Sequence, residues 1–174
     1  MKKFILPLII ALLSLPAFSQ EKKFSFSIGP ELAFAAGSLT NTHSIGTGGS
    51  AQLEVLIQDK LKATASFGVL GYLGKSIMIG GQKLKQPGLT IIPVRVGAKY
   101  YLSGGIYGGA QIGVAFRGNY EPYNGAAFAY TPLILGYEFK TKKDQAIDAS
   151  IKYDASSGHG GTIASFGIRL AYVF

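Results

Sequence analysis

The chain of 174 residues contains no cysteine. That excludes a disulfide framework, a thiol nucleophile, a cysteine-built metal site and a lipid-modified N-terminal cysteine. Charged residues are scarce, at 15% of the chain against 48% hydrophobic, yet beyond residue 20 no continuous apolar run reaches the roughly 20 residues that a spanning helix needs. The apolar residues are dispersed rather than blocked. Histidine is nearly missing as well, with only His43 and His159. No segment carries the 3.6-residue period of an amphipathic helix.

What is present begins with a targeting pattern. Met1-Lys2-Lys3 is a basic start, Phe4 to Leu15 is an apolar stretch too short to cross a bilayer, and Pro16-Ala17-Phe18-Ser19 offers small residues at cleavage offsets. This predicts a cleaved export signal over residues 1–19 and one domain over 20–174. A buried N-terminal helix fits less well, because Pro7 interrupts it and Gln20-Glu21-Lys22-Lys23 follows at once. Without Lys2 and Lys3 the chain keeps 15 basic against 9 acidic residues, a charge of +6. An exported chain has no use for nucleic acid, so the excess points to anionic lipid or lipopolysaccharide phosphates as partners.

From Phe24 onward, eight stretches alternate in polarity: 24–36, 46–57, 61–73, 89–102, 105–117, 127–139, 145–155 and 162–174. Clusters of Gly, Ser, Asn, Asp and Lys separate them. The connections 58–60, 103–104 and 140–144 are short, 37–45, 74–88 and 118–125 are longer, and 156–161 is intermediate. Short turns at one end, longer loops at the other and an even strand count are the bookkeeping of an outer-membrane barrel.

Each strand has two unlike faces. Ile147, Ala149, Ile151 and Tyr153 oppose Asp148, Ser150, Lys152 and Asp154; Phe166, Ile168, Leu170, Tyr172 and Phe174 oppose Ser165, Gly167 and Arg169. A soluble barrel turns its apolar parity inward and a membrane barrel turns it outward. The charged parity is crowded with small residues such as Ser27, Gly29, Gly97, Gly113 and Gly167. An eight-stranded barrel has an interior only wide enough for side chains, and small neighbours make room for long ones.

The charged parity is therefore placed inside. Its long polar residues are Glu31, Gln52, Glu54, Lys62, Arg95, Lys99, Gln111, Arg117, Glu138, Asp148, Lys152, Asp154 and Arg169, with five acids and six bases. Near-balance suits a salt-bridged plug, since an unpaired buried charge is costly. Aromatics towards strand ends, among them Phe24, Phe34, Tyr100, Phe116, Tyr137, Phe139 and Tyr172, suit interfacial girdles. Pro30, Pro93 and Pro132 lie inside expected strands and predict bulges or register shifts. Ile91 and Ile134 fall on the polar parity, which weakens the register of the fourth and sixth strands.

The chain ends in Phe174, with Phe166, Ile168, Leu170 and Tyr172 at alternate positions before it. This resembles the C-terminal strand that outer-membrane proteins present to the barrel-assembly machinery. The segment from Ile92 to Leu102, followed by Gly105 to Gly113, resembles the central hairpin of the porin-like outer membrane protein beta-barrel domain family of Bacteroidetes. The resemblance covers nearly all of the chain after the signal. It implies an all-β, eight-stranded antiparallel up-and-down transmembrane β-barrel in a Gram-negative outer membrane, and it carries over no catalytic residue and no cofactor.

Some small outer-membrane barrels are enzymes, so the loops bear inspection. His43 and His159 fall in the first and last loops, neighbours in a closed barrel, with Ser157 and Asp154 near His159. A hydroxyl, an imidazole and a carboxylate are the parts of a hydrolase, but Asp154 to Gly161 reads first as a flexible Gly/Ser loop. No third ligand joins the histidines in a metal site, and Gly80-Gly81 lacks the strand-to-helix setting of a phosphate loop. Lys75, Lys83 and Lys85 sit in the second long loop with no acidic residue from Gly74 to Gly88, where they could meet lipopolysaccharide phosphates. The expected function is that of a monomeric, non-enzymatic outer-membrane barrel without an open pore, structural or engaged in surface interaction. The alternatives are a lipid-modifying hydrolase using His159 and a soluble periplasmic carrier of lipocalin type.

Overall fold

A computed structural model of the chain describes residues 24–79, 82–118, 124–141 and 145–174, with the backbone alone at 77, 79, 82 and 83. The expected export signal and the Gly80-Gly81 pair lie outside the described residues. Ten strands are formed: β1 (Phe24–Ala36), β2 (His43–Gln58), β3 (Leu61–Gly74), β4 (Ser76–Ile79), β5 (Gln82–Lys85), β6 (Leu89–Ser103), β7 (Ile106–Gly118), β8 (Gly125–Lys140), β9 (Ala146–Gly158) and β10 (Gly161–Val173). Eight of them close into an antiparallel barrel in the order β1-β2-β3-β6-β7-β8-β9-β10, and β10 pairs back onto β1.

The polarity alternation sets which way each strand faces. Large apolar side chains are exposed on all eight barrel strands, for example Ile28, Leu53, Phe67, Val96, Ile112, Leu135, Ile151 and Ile168. Ser27, Glu31, Gln52, Glu54, Arg95, Lys99, Asp148 and Arg169, on the other parity, are buried. A carrier of lipocalin type needs the opposite arrangement, so that reading is overturned. Closure removes every free edge from the wall, which backbone amides require in hydrocarbon.

At the short-turn end, β6 and β7 are joined through Gly104 and Gly105, with φ of 59° and 97°. These positive angles match a two-residue hairpin turn whose twist suits the strands. Several connections at the other end are more ordered than the sequence suggests. Residues 76–79 and 82–85 of the second long loop form a separate hairpin, β4 against β5. β9 and β10 run on to a tight turn at His159 and Gly160, because Ser156, Ser157 and Gly158 pair with Ala129, Phe128 and Ala127 of β8. The first loop winds into a 3-10 turn over Gly37–Asn41.

The prolines act in two ways. At Pro132 the ladders on both sides of β8 shift register, and Pro132 and Leu133 both face outward, so the bulge exchanges the parities of β8. Ile134 thereby points inward along with Glu138. At Pro30 and Pro93 no register shift occurs; Gly29 and Pro30 simply have no partner on β10, and Pro93 pairs with β7 alone.

Candidate functional site

The barrel interior has two layers. Nearest the loop end, Leu39 of the 3-10 turn folds down among Ala33, Leu70, Tyr72, Leu89, Ile91 and Ile163 as an apolar cap. Ile91, whose inward parity was a doubt in the sequence, is one of its walls. The sequence reading missed Leu39, since nothing local distinguishes it from any loop leucine. Thr40 donates to Gly37 O at 2.7 Å, and Ser38 ties the turn to Thr162 O at 3.0 Å. The Lys75 ammonium reaches Thr40 O at 2.6 Å, while its backbone N–H donates to Thr42 O at 2.7 Å.

His43 is not an exposed loop residue: it opens β2 and is fully buried. Its Nε2 donates to Pro87 O at 3.2 Å and its Nδ1 accepts from the Thr42 hydroxyl at 2.9 Å, which locks the first loop to the base of the β4-β5 hairpin. His159 lies in the exposed turn after β9, where Ser157 is within 2.8 Å of the Thr162 hydroxyl. The nearby carboxylate, Asp154, points into the barrel, where it accepts from Thr131 at 2.6 Å. The three groups considered for a hydrolase are thus not brought together. Among the described residues no cluster of three or more His, Asp or Glu is placed to hold a metal ion.

Below the cap lies a chain of ion pairs. Glu138 meets Lys62 at 3.7 Å, Lys62 meets Glu54 at 3.0 Å, Glu54 meets Lys99 at 2.6 Å and Lys99 meets Asp148 at 3.0 Å. Asp148 then faces Arg169 at 3.5 Å, Arg169 faces Glu31 at 3.7 Å, Glu31 meets Lys152 at 2.9 Å, and Lys152 and Arg95 both meet Asp154 at 3.2 Å. Five acids and five bases alternate without interruption. Arg117 sits apart from this series; its guanidinium donates to Ser156 Oγ and O and to Gly161 O.

Neutral groups take up much of the remaining hydrogen-bonding capacity, as burial demands, while Arg95 Nε and Asp154 Oδ2 make no hydrogen bond among the described residues. Tyr107 donates to Asp148 at 2.7 Å and carries the Lys99 ammonium 4.2 Å above its ring. Gln52 donates to Glu54 at 2.8 Å, and Gln111 donates to Gln52 and Thr64. Ser50 and Ser27 accept from Arg169. Small residues make this density possible: a Cβ on Gly136 would lie 2.3 Å from the Tyr107 ring and hydroxyl.

Packing leaves little space. The void among Gln52, Arg95, Lys99 and Gln111 has about 20 Å³, and so has the one between Leu39, Tyr72, Arg95 and Asp154. Each has room for about one water. At the short-turn end the interior widens into an open recess of about 390 Å³ beside Lys62, Glu138, Lys140 and Gln145.

The remaining residues of interest lie on the outside. Phe166, Ile168, Leu170 and Tyr172 share the outer face of β10, the exposed Phe174 follows its end, and the Phe174 amide donates to Phe26 O at 2.8 Å, which helps close the barrel. Tyr172 packs edge-on against Phe174, and Tyr137 lies tilted against Phe139. Lys85 is exposed on β5 beside the exposed Leu84, and Met78 is exposed on β4; the Lys83 side chain lies outside the described residues.

Over residues 5–174 the sequence matches the family described as outer membrane protein beta-barrel domain. The chain belongs to that family. Its outward apolar belt is therefore a lipid-facing wall and its place is the outer membrane. Similar solved structures include the attachment invasion locus protein Ail of Yersinia pestis, 15% identical, covering 87% of this chain and 97% of that one at a TM-score of 0.53. Ail in a phospholipid bilayer nanodisc is 18% identical, with coverage of 87% and 98% and a TM-score of 0.55. Neisserial surface protein A is 12% identical, with coverage of 87% and 96% and a TM-score of 0.61. At such identities the likeness is one of fold. No curated protein matches the chain.

Proposed function

We propose that this family member is a closed, non-conducting and non-catalytic membrane anchor that displays its loops for interaction at the cell surface. The observation that carries this reading is the filled interior: an uninterrupted ion-pair chain under an apolar cap, with voids of about 20 Å³. Hydrated ions need a continuous wet path, and here the ten charges of the chain face one another at 2.6 to 3.7 Å. Purified protein in planar lipid bilayers should give no stable conductance steps. Reproducible single-channel openings would refute the reading.

Residues 1–19 act in this scheme as the cleaved export signal, the alternate apolar positions ending at Phe174 as the signal to the barrel-assembly machinery, and the barrel as a monomer. The loop end faces the medium. There the β4-β5 hairpin carries Lys83 and the exposed Lys85 in its sequence, with no acidic residue from Gly74 to Gly88, and this positive stretch meets lipopolysaccharide phosphates. Lys75 has a local task in binding Thr40 O. The variant K83Q/K85Q should lose salt-sensitive lipopolysaccharide association, and unchanged association would sink the hairpin's part in it.

A further inference from the structure

The outer wall is not uniformly convex. Across four adjacent strands, Phe34, Phe166, Tyr153 and Leu133 are register partners and form one row. Two residues further towards the short-turn end, Ile168, Ile151 and Leu135 form the next. Between the rows runs an apolar groove of about 300 Å³. The Tyr153 and Phe166 rings, 5.2 Å apart, wall one side of it. The β8 bulge lies beside it, where Pro132 and Leu133 both turn outward.

The groove's dimensions select an occupant. Three inter-strand spacings give it a length of about 14 Å, and its lining side chains are almost all apolar. Both describe one stretch of extended hydrocarbon chain. Its setting supplies the source. Phe34 stands two residues from the loop end of β1, and Phe166 is five residues into β10 from its loop end and seven from the other. The groove thus runs from mid-wall towards the outer leaflet, the depth that an outer-leaflet acyl chain traverses.

We propose that this groove holds one acyl chain of a lipopolysaccharide molecule, seated between the aromatic row and the aliphatic row. The site rests on the reading that the loop end faces the medium. It is separate from the hairpin lysines, which would meet the phosphates of such a molecule and not its chains.

The test is native mass spectrometry of protein extracted from the outer membrane in mild detergent, with heat-dependent electrophoretic mobility as the check on folding. Wild-type protein should retain one lipopolysaccharide molecule per barrel. I151W/I168F fills the groove and should lower the retained fraction about tenfold. V96F/I112F adds the same kind of bulk to the exposed wall of β6 and β7 and should leave retention unchanged. Leu135→Phe gives a second reading of the groove should the double variant fail to insert. Absence of the adduct from wild type, or equal retention by the groove variants, overturns the site, and a phospholipid in its place overturns the occupant. Loss in K83Q/K85Q with full retention by I151W/I168F would overturn the groove while leaving the surface reading intact. The reverse pattern would uphold the groove and discard the hairpin contact.

Discussion

Lys99 is the residue whose removal most directly tests the interior. Its ammonium lies 2.6 Å from Glu54 and 3.0 Å from Asp148, and the side chain is 2% exposed, with both carboxylates at 1%. Lys99→Met keeps most of the length of the side chain and deletes the charge. Breaking a buried pair from one side costs about 3–5 kcal/mol, because the partner stays behind uncompensated. Here Glu54 keeps Lys62 and Gln52, and Asp148 keeps Tyr107 and Arg169. The lower end, about 3 kcal/mol, is therefore expected, or roughly a hundredfold in the folding equilibrium. The assay is reversible denaturant unfolding of the barrel in lipid vesicles. A companion variant, K99M/E54Q, restores the balance of acids and bases, since Lys62 keeps Glu138 and Asp148 keeps Arg169, and should recover a large part of the loss. A change below about 1 kcal/mol in Lys99→Met, or a double variant worse than the single one, would refute the view that these groups form one neutral chain.

Other perturbations address other parts. Leu39→Ala should cost about 2–5 kcal/mol by emptying the cap, read by the same unfolding assay; no loss would mean the 3-10 turn does not seal the loop end. Gly136→Ala drives a methyl into the Tyr107 ring and should destabilise by about 1–3 kcal/mol in the same assay; no loss would mean that the Tyr107 ring can give way. Deleting Phe174 should lower the fraction of protein recovered as folded barrel in the outer membrane, measured by heat-dependent mobility, and unchanged recovery would remove its part in assembly.

Strands whose faces differ strongly were the legible part of the sequence. β1 starts and stops where its alternation does. The end of β9 was hidden, because Ser156, Ser157 and Gly158 look like turn residues; in a narrow barrel they are wall residues chosen for size. The parity of Glu31, Glu54 and Arg169 could be read locally, but which acid meets which base depends on strands distant in sequence. The Leu39 cap and the burial of His43 are likewise contacts between loops, with no period to announce them. Pro132 marked its bulge, whereas Pro93 was absorbed without one.

The ion-pair chain also has an order in time. Its ten members come from seven of the eight barrel strands, all but β7, and two of its links, Arg169 to Glu31 and Lys152 to Glu31, cross the seam where the last strand meets the first. A barrel with that seam open leaves Glu31 stranded against hydrocarbon, so a half-inserted sheet gains little until β10 reaches β1. Zippering shut is then the step at which charge neutrality is first achieved, and insertion should proceed as a single concerted event rather than hairpin by hairpin.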